Sequence, residues 1–392
     1  MTTPPPRLPF DQPHPLTMPP QLRELQMDGP IHKIHTEVGD DAWLVTGYPQ
    51  VRELLDDSRL GRSHPDPANA PRVGQSALLG AVMSNYATEH EDHAYIRRVA
   101  QPLFSPKRMR AMRPRVEELT ANLLDDLAKS EQPADLLQAL ALPLPILVIC
   151  ELLGVSYDDR DRFRAWVLAA ADAQDRERSR KGLTDLYAYS QELVALRRRR
   201  PGQDVVSSLC AVDGLADDKI ATLTMALLFG GHETTVVSLG LGALLLLAHP
   251  EQGKAMRDDP DLIPGAVEEI LRMPVKNRGG LVRYAREEIE YAGVTIRPGE
   301  LVLLDNRGAN HDTGVYPEAD RFDVTRRDAP HLTFGHGPRY CMGAPLARVE
   351  LQVAFEQLVH RFPTMRLARP YEELMGRANL VTGGLAELPV MW

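Results

Sequence analysis

Ten consecutive residues concentrate the chemistry of this chain: Phe334-Gly335-His336-Gly337-Pro338-Arg339-Tyr340-Cys341-Met342-Gly343, which run into a helical pattern over Ala344 to Arg361. A glycine-rich bend that delivers a cysteine to the start of a helix suits a thiolate that must stay ionised and held still. Unpaired N–H groups and the positive end of the helix dipole lower a thiol pKa and donate to sulfur. Pro345 falls in the first turn, where its missing N–H costs nothing. Gly335, Gly337 and Gly343 allow tight backbone and close approach to a flat ligand, and Phe334 can cover the sulfur. Cys341 is therefore a candidate metal ligand.

The frame Phe-x-x-Gly-x-x-x-Cys-x-Gly resembles the heme-ligand loop of the cytochrome P450 family, and Ala344-Pro345-Leu346-Ala347-Arg348 resembles its soluble bacterial, actinobacterial-type members. The resemblance implies a heme b, iron protoporphyrin IX, held by the Cys341 thiolate, with dioxygen as co-substrate. Electron density from that sulfur favours O–O cleavage.

A second chemical segment is Leu228-Phe229-Gly230-Gly231-His232-Glu233-Thr234-Thr235, inside a long apolar helix pattern. Two glycines weaken a helix by about 1 kcal/mol each relative to alanine, and threonine can bond back to the preceding turn. His232-Glu233 alone hints at a zinc helix, but Val236 stands where the second histidine of that motif belongs. The family resemblance implies an oxygen-activating groove here, with Glu233 as the acid and Thr234 as the alcohol of a proton relay. Gly230 occupies a place where alanine is commoner.

The same resemblance implies further roles. His93 and Arg97, four apart on one helix, bind a heme propionate, with His90 a rival for His93; Arg283 and Arg339 complete the cationic set. Phe334, Gly335 and Gly343 frame the cofactor. Glu269, Arg272 and Arg321 form a structural brace. Substrate contacts are expected from Val82, Met83, Met225, Phe229, Gly230, Val275, Lys276, Asn277, Arg278, Val381 and Thr382, of which Lys276, Asn277 and Arg278 put polar groups where the family tends to be apolar. No flavin or nicotinamide fingerprint occurs, so electrons are expected from a ferredoxin and its NAD(P)H-dependent ferredoxin reductase. The basic run Lys107, Arg108, Arg110, Arg113 and Arg115 is a place for an acidic partner to dock.

These groups need a scaffold, and the pattern supplies a helix-rich one. Helical spacing covers Arg113 to Lys129, Asp158 to Asp175, Leu183 to Arg200, Asp217 to Ala248, Leu262 to Met273 and Ala344 to Arg361. Short strands are expected at Ala42 to Thr46, Glu288 to Ile296 and Glu300 to Leu304, the last two joined by the turn Arg297-Pro298-Gly299. This is a mainly α fold with small β-sheets (α+β), read as one domain over residues 1–392 with an extended proline-rich arm over residues 1–20.

The three cysteines match neither a disulfide framework nor a zinc site, which points to a reducing cytoplasm. A formal charge of −9 argues against a nucleic-acid partner. The apolar stretches Leu136 to Val155 and Met225 to Ala248 carry interrupting prolines or charged residues, so they read as core rather than membrane helices. The expected function is insertion of one oxygen atom, by hydroxylation or epoxidation, into a largely hydrophobic small molecule, a polyketide, macrolide or peptide natural-product intermediate. Oxidative coupling or rearrangement on the same fold is one alternative, and a heme-binding sensor or carrier is another.

Overall fold

Helices occupy about 53% of the chain, and the strands gather into small sheets. The computed structural model describes residues 4–79, 85–274, 279–327 and 330–392. It packs as two compact units, each assembled from separate stretches: residues 1–96, 271–322 and 327–341 form the first, and residues 97–270, 323–326 and 342–392 the second. The chain passes repeatedly from one to the other, so no linker composition betrays them.

The first unit holds a five-stranded sheet in the order Ile31–His35, Asp41–Val45, Leu301–Leu304, Leu281–Ala285, Leu60–Gly61. Its central strand, Leu301–Leu304, is buried along its whole length, which fits an uninterrupted aliphatic run. One face packs on Tyr48, Val51, Leu54 and Leu55 of the Tyr48–Asp56 helix; the other packs on Leu8, Phe10 and Leu22. The proline-rich arm is thus anchored: Leu8 N–H donates to the His35 carbonyl and His35 N–H to that of Pro6.

The expected strand Glu288 to Ile296 is a hairpin, Ile289–Tyr291 with Val294–Ile296. Ala292 and Gly293, both at positive φ, make the turn. Leu301–Leu304 does not pair with this hairpin; after the Arg297-Pro298-Gly299 turn the chain enters the five-stranded sheet, beside Asp41–Val45 and Leu281–Ala285.

The second unit is helical around Asp217–Ala248. That helix is long and apolar enough to cross a membrane by length and composition, but 72% of its apolar window is buried inside the protein. Glycines let neighbours approach: a Cβ on Gly231 would lie 2.6 Å from Ile149 Cδ1, and one on Gly242 2.4 Å from the Phe355 ring. The helices Arg113–Ala128, Ile263–Arg272 and Ala344–Arg361 follow the sequence pattern closely. Two others differ. The Asp158 to Asp175 pattern narrows to Arg160–Ala170, and the next helix begins at Arg176, seven residues ahead of Leu183, because the Asp175 side chain caps it by accepting from Arg178 N–H.

Candidate active site

In the first unit, Cys341 is exposed while Cys150 and Cys210 are buried. Its backbone N–H donates to the Phe334 carbonyl at 2.8 Å, closing the loop on itself. Gly335 and Gly337 sit at φ 73° and 66°, conformations that a side chain resists. A Cβ on Gly337 would also come within 2.5 Å of Asp56 Oδ1 on the Tyr48–Asp56 helix. Gly343 differs from expectation: its φ of −79° is ordinary, and it serves as the N-cap of Ala344–Arg361, which places Cys341 three residues ahead of the helix rather than at its first turn. The Phe334 ring meets Tyr340 edge-on, 6.2 Å between centroids.

A group of arginines lies in the same unit. Arg283 is buried, donates to the Val282 carbonyl at 2.8 Å, and is pushed down to about 9 by desolvation and by Arg62 and Arg339. Arg339 is lowered mainly by desolvation, and its guanidinium pairs with the buried carboxylate of Glu89. Arg286 approaches the same carboxylate at 3.6 Å. The buried or half-buried guanidiniums of Arg283, Arg286 and Arg339, with the exposed Arg62 beside them, leave positive charge uncompensated by one carboxylate, and buried cations persist only when anions meet them. A dianionic ligand such as the two propionates of a heme fits this donor set, and the exposed Cys341 would offer its sulfur to the iron. His90 and Glu89 open the Glu89–Ala100 helix on which His93 and Arg97 sit half-buried, one turn apart. His90 is lowered by desolvation and its Nε2 is buried without a partner, which suits it poorly to hold an anion.

In the second unit, the Asp217–Ala248 helix is largely buried beyond its exposed first residues, Asp217 to Lys219, apart from one stripe. Thr222, Ala226, Gly230 and Thr234, each four residues from the last, are exposed, and Gly230 faces open space where a Cβ would touch nothing. Thr234 Oγ1 donates to the Gly230 carbonyl at 2.6 Å and Ser238 Oγ to that of Thr234 at 3.0 Å. Hydroxyl back-bonds satisfy the groove backbone where the helix has no side chain at Gly230.

Glu233, next along, is fully buried. Its Oε1 accepts from Arg377 at 2.7 Å and from Thr382 Oγ1 at 3.2 Å, while Oε2 is left without a partner. Burial raises its pKa although Arg377 and Thr382 pull it down. An acid whose pKa is raised by burial keeps its proton more readily than an exposed carboxylate, which suits a relay. His232 is fully buried with neither ring nitrogen partnered, lies 5.5 Å from the Phe163 ring, and is pushed down to about 3 by burial.

Each residue of the expected brace has identifiable partners. Arg272 is fully buried and donates to the carbonyls of Asn310 at 2.8 Å and Ala319 at 2.7 Å. Arg321 joins through its backbone, its carbonyl accepting from Arg272 at 3.4 Å, whereas its guanidinium reaches Glu318 on the surface. Glu269 accepts from Asp323 N–H and from Arg326 Nε at 3.3 Å, so Arg326 brings a cation that sequence reasoning missed.

Among the expected substrate contacts, Met225, Phe229 and Val381 are half-buried and Gly230 is exposed. Thr382 is buried, and its hydroxyl donates to Glu233, which ties it to the acid. Val82, Met83, Val275, Lys276, Asn277 and Arg278 lie outside the described residues. Arg377, Glu89, Arg62 and Arg286 were also missed. Arg377 lies 144 residues from Glu233, and the only sequence signal was chemical: a glutamate inside an apolar helix needs a cation somewhere.

Comparisons with known proteins agree with this geometry. The family model for cytochrome P450 matches residues 190–368. The chain is 42% identical to pentalenolactone synthase of Streptomyces exfoliatus, over 98% of each chain. It is 39% identical to the mycinamicin IV hydroxylase/epoxidase of Micromonospora griseorubida over the full length of both. The solved structure of a cytochrome P450 with biaryl coupling reactivity superposes with a TM-score of 0.89 at 34% identity, covering 98% of this chain and 99% of that one. With its cysteine loop, its buried acid and these relatives, the chain belongs to the cytochrome P450 family and is a heme-thiolate monooxygenase.

Proposed function

We propose that the enzyme hydroxylates or epoxidises a largely hydrophobic natural-product intermediate of the polyketide, macrolide or peptide kind. The heme supplies, when bound, the activation of dioxygen; the chain supplies ligand, protons and shape. Cys341 would hold its iron through sulfur, Arg283, Arg339, His93 and Arg97 would hold the propionates, and Phe334, Gly335 and Gly343 would frame it. Glu233 holds a proton at Oε2 and Thr234 passes it along the groove. The observation that carries this reading is the exposed Ala226–Gly230–Thr234 stripe on a largely buried stretch of helix, next to an acid whose second oxygen is unpartnered. Met225 and Phe229 flank that stripe and favour an apolar substrate.

Electrons come from a ferredoxin and its NAD(P)H-dependent reductase in the cytoplasm, and the chain works as one functional domain. In the basic run, Arg113 pairs with Glu117 and Glu356 and Arg115 with Glu118 and Glu151. This leaves Lys107, Arg108 and Arg110 as the cations for an acidic partner. Incubation with a surrogate ferredoxin, its reductase, labelled dioxygen and a panel of polyketide and macrolide intermediates tests the reading: one labelled oxygen in the product supports it. The structural relative with coupling reactivity favours a second reading, oxidative coupling, in which the product would gain a new bond and no label.

A further inference from the structure

Glu89 stands in an unusual place for a carboxylate. It is 1% exposed, at the start of the Glu89–Ala100 helix, and three hydrogen-bond donors and a further guanidinium converge on it. Oε1 accepts from Arg62 N–H at 2.7 Å and from the Arg339 guanidinium; Oε2 accepts from Ser63 N–H at 2.9 Å and faces Arg286 Nη1 at 3.6 Å. The strand beneath fits it closely, since a Cβ on Gly61 would fall 2.9 Å from Oε2. Each neighbouring arginine has another use. Arg286 donates to the Tyr86 carbonyl at 2.8 Å and lies 4.0 Å over its ring, and Arg283 is bonded to the Val282 carbonyl. Arg62 is the exception: its backbone is tied to Glu89, its side chain is exposed, and among the described residues its guanidinium has no hydrogen-bond or ion-pair partner, although its charge bears on Arg283 and Arg339.

One carboxylate cannot balance this group, and anchoring two backbone amides and Arg339 leaves it no capacity for Arg62. We propose that Glu89 is a positioning residue of the propionate site, fixing Arg339 and the Arg62–Ser63 backbone so that the free Arg62 guanidinium meets a heme propionate. This rests on the heme-thiolate reading above. Charges beside a heme act on its potential with opposite signs, a cation favouring the reduced state and an anion the oxidised one.

The test uses the holoenzyme, with redox potentiometry and the rate of heme transfer to apomyoglobin for wild type, Glu89→Gln, Arg62→Gln and Arg62→Lys. The expected result is a lower potential and several-fold faster heme loss in Arg62→Gln, both largely restored in Arg62→Lys. Glu89→Gln should also lose heme faster, through a released Arg339, but with its potential raised. A wild-type potential and heme-loss rate in Arg62→Gln would overturn the proposal. So would a Glu89→Gln variant that melts earlier with no change of potential, since that is a structural role alone. A wild-type protein that takes up no heme would instead remove the reading on which the proposal stands.

Discussion

The cysteine loop and the acid groove carry the two halves of the chemistry and are built in contrasting ways. In the loop, ligand, bends and covering ring fall within ten residues, and the closing hydrogen bond runs from Cys341 to Phe334. The groove is assembled from afar: Glu233 on one helix depends on Arg377 and Thr382 near the C-terminus. A site made from one short segment is robust to changes elsewhere and fails only at its own residues. A site made by long-range pairing can be weakened from any contributor, and its acid sits at a raised pKa because burial outweighs the pull of those partners toward the carboxylate.

The largest effect should come from the local site. Cys341→Ser should abolish product formation while leaving the secondary structure, followed by far-ultraviolet circular dichroism, unchanged. Turnover at the wild-type rate would mean that the sulfur is not needed.

Next comes the brace behind the loop. Arg272→Met should lower unfolding stability by about 3–5 kcal/mol in denaturant titration, because the carbonyls of Asn310 and Ala319 lose a buried donor. Arg321→Met should cost less than Arg272→Met, since its pair with Glu318 is exposed and its contact with Arg272 is made by the backbone carbonyl. Equal losses would return Arg321 to the buried brace.

In the groove, Thr234→Ala should bind heme and substrate yet divert reducing equivalents to peroxide, and Glu233→Gln should slow turnover at the same step. Arg377→Gln sharpens the contrast: it lies far from Glu233 in sequence, yet it should raise the apparent acid pKa of turnover, because a cation that holds the carboxylate pKa down is gone. An unchanged pH–rate profile would uncouple Arg377 from the acid.

The smallest effect concerns His232. Its folded pKa is about 3 against an ordinary 6.5, so as pH falls through that window the unfolded chain gains a proton that the folded chain refuses. Stability is full above pH 6.5 and is lost on acidification, with a limiting slope of about 1.4 kcal/mol per pH unit. His232→Phe should flatten that part of the stability curve, measured by urea unfolding across pH. A curve identical to wild type would show that the imidazole is not held neutral.

The same contrast decides what was legible in the sequence. The loop, the Asp217–Ala248 helix and the Ala344–Arg361 helix were readable because each is set by local spacing: glycine bends, apolar periodicity, proline in a first turn. The pairing of Leu301–Leu304 with Asp41–Val45 and Leu281–Ala285 was not readable, because an aliphatic run of four specifies a buried strand but not its neighbours. Arg377, Arg326 and Glu89 escaped for a related reason. A charged residue shows its sign in the sequence, while its partner is chosen by the fold. Thr382 was read as a substrate contact because its segment borders such contacts in the family, whereas its burial beside Glu233 is a tertiary fact.

The account rests on Cys341 as the iron ligand, and the most direct measurement is the carbon monoxide difference spectrum of the reduced protein, taken for wild type and for Cys341→His, Cys150→Ala and Cys210→Ala. It predicts a thiolate-heme band in wild type and in the two buried-cysteine variants, and loss of that band in Cys341→His. A histidine-type spectrum in wild type, or a thiolate band that survives in Cys341→His, would contradict it.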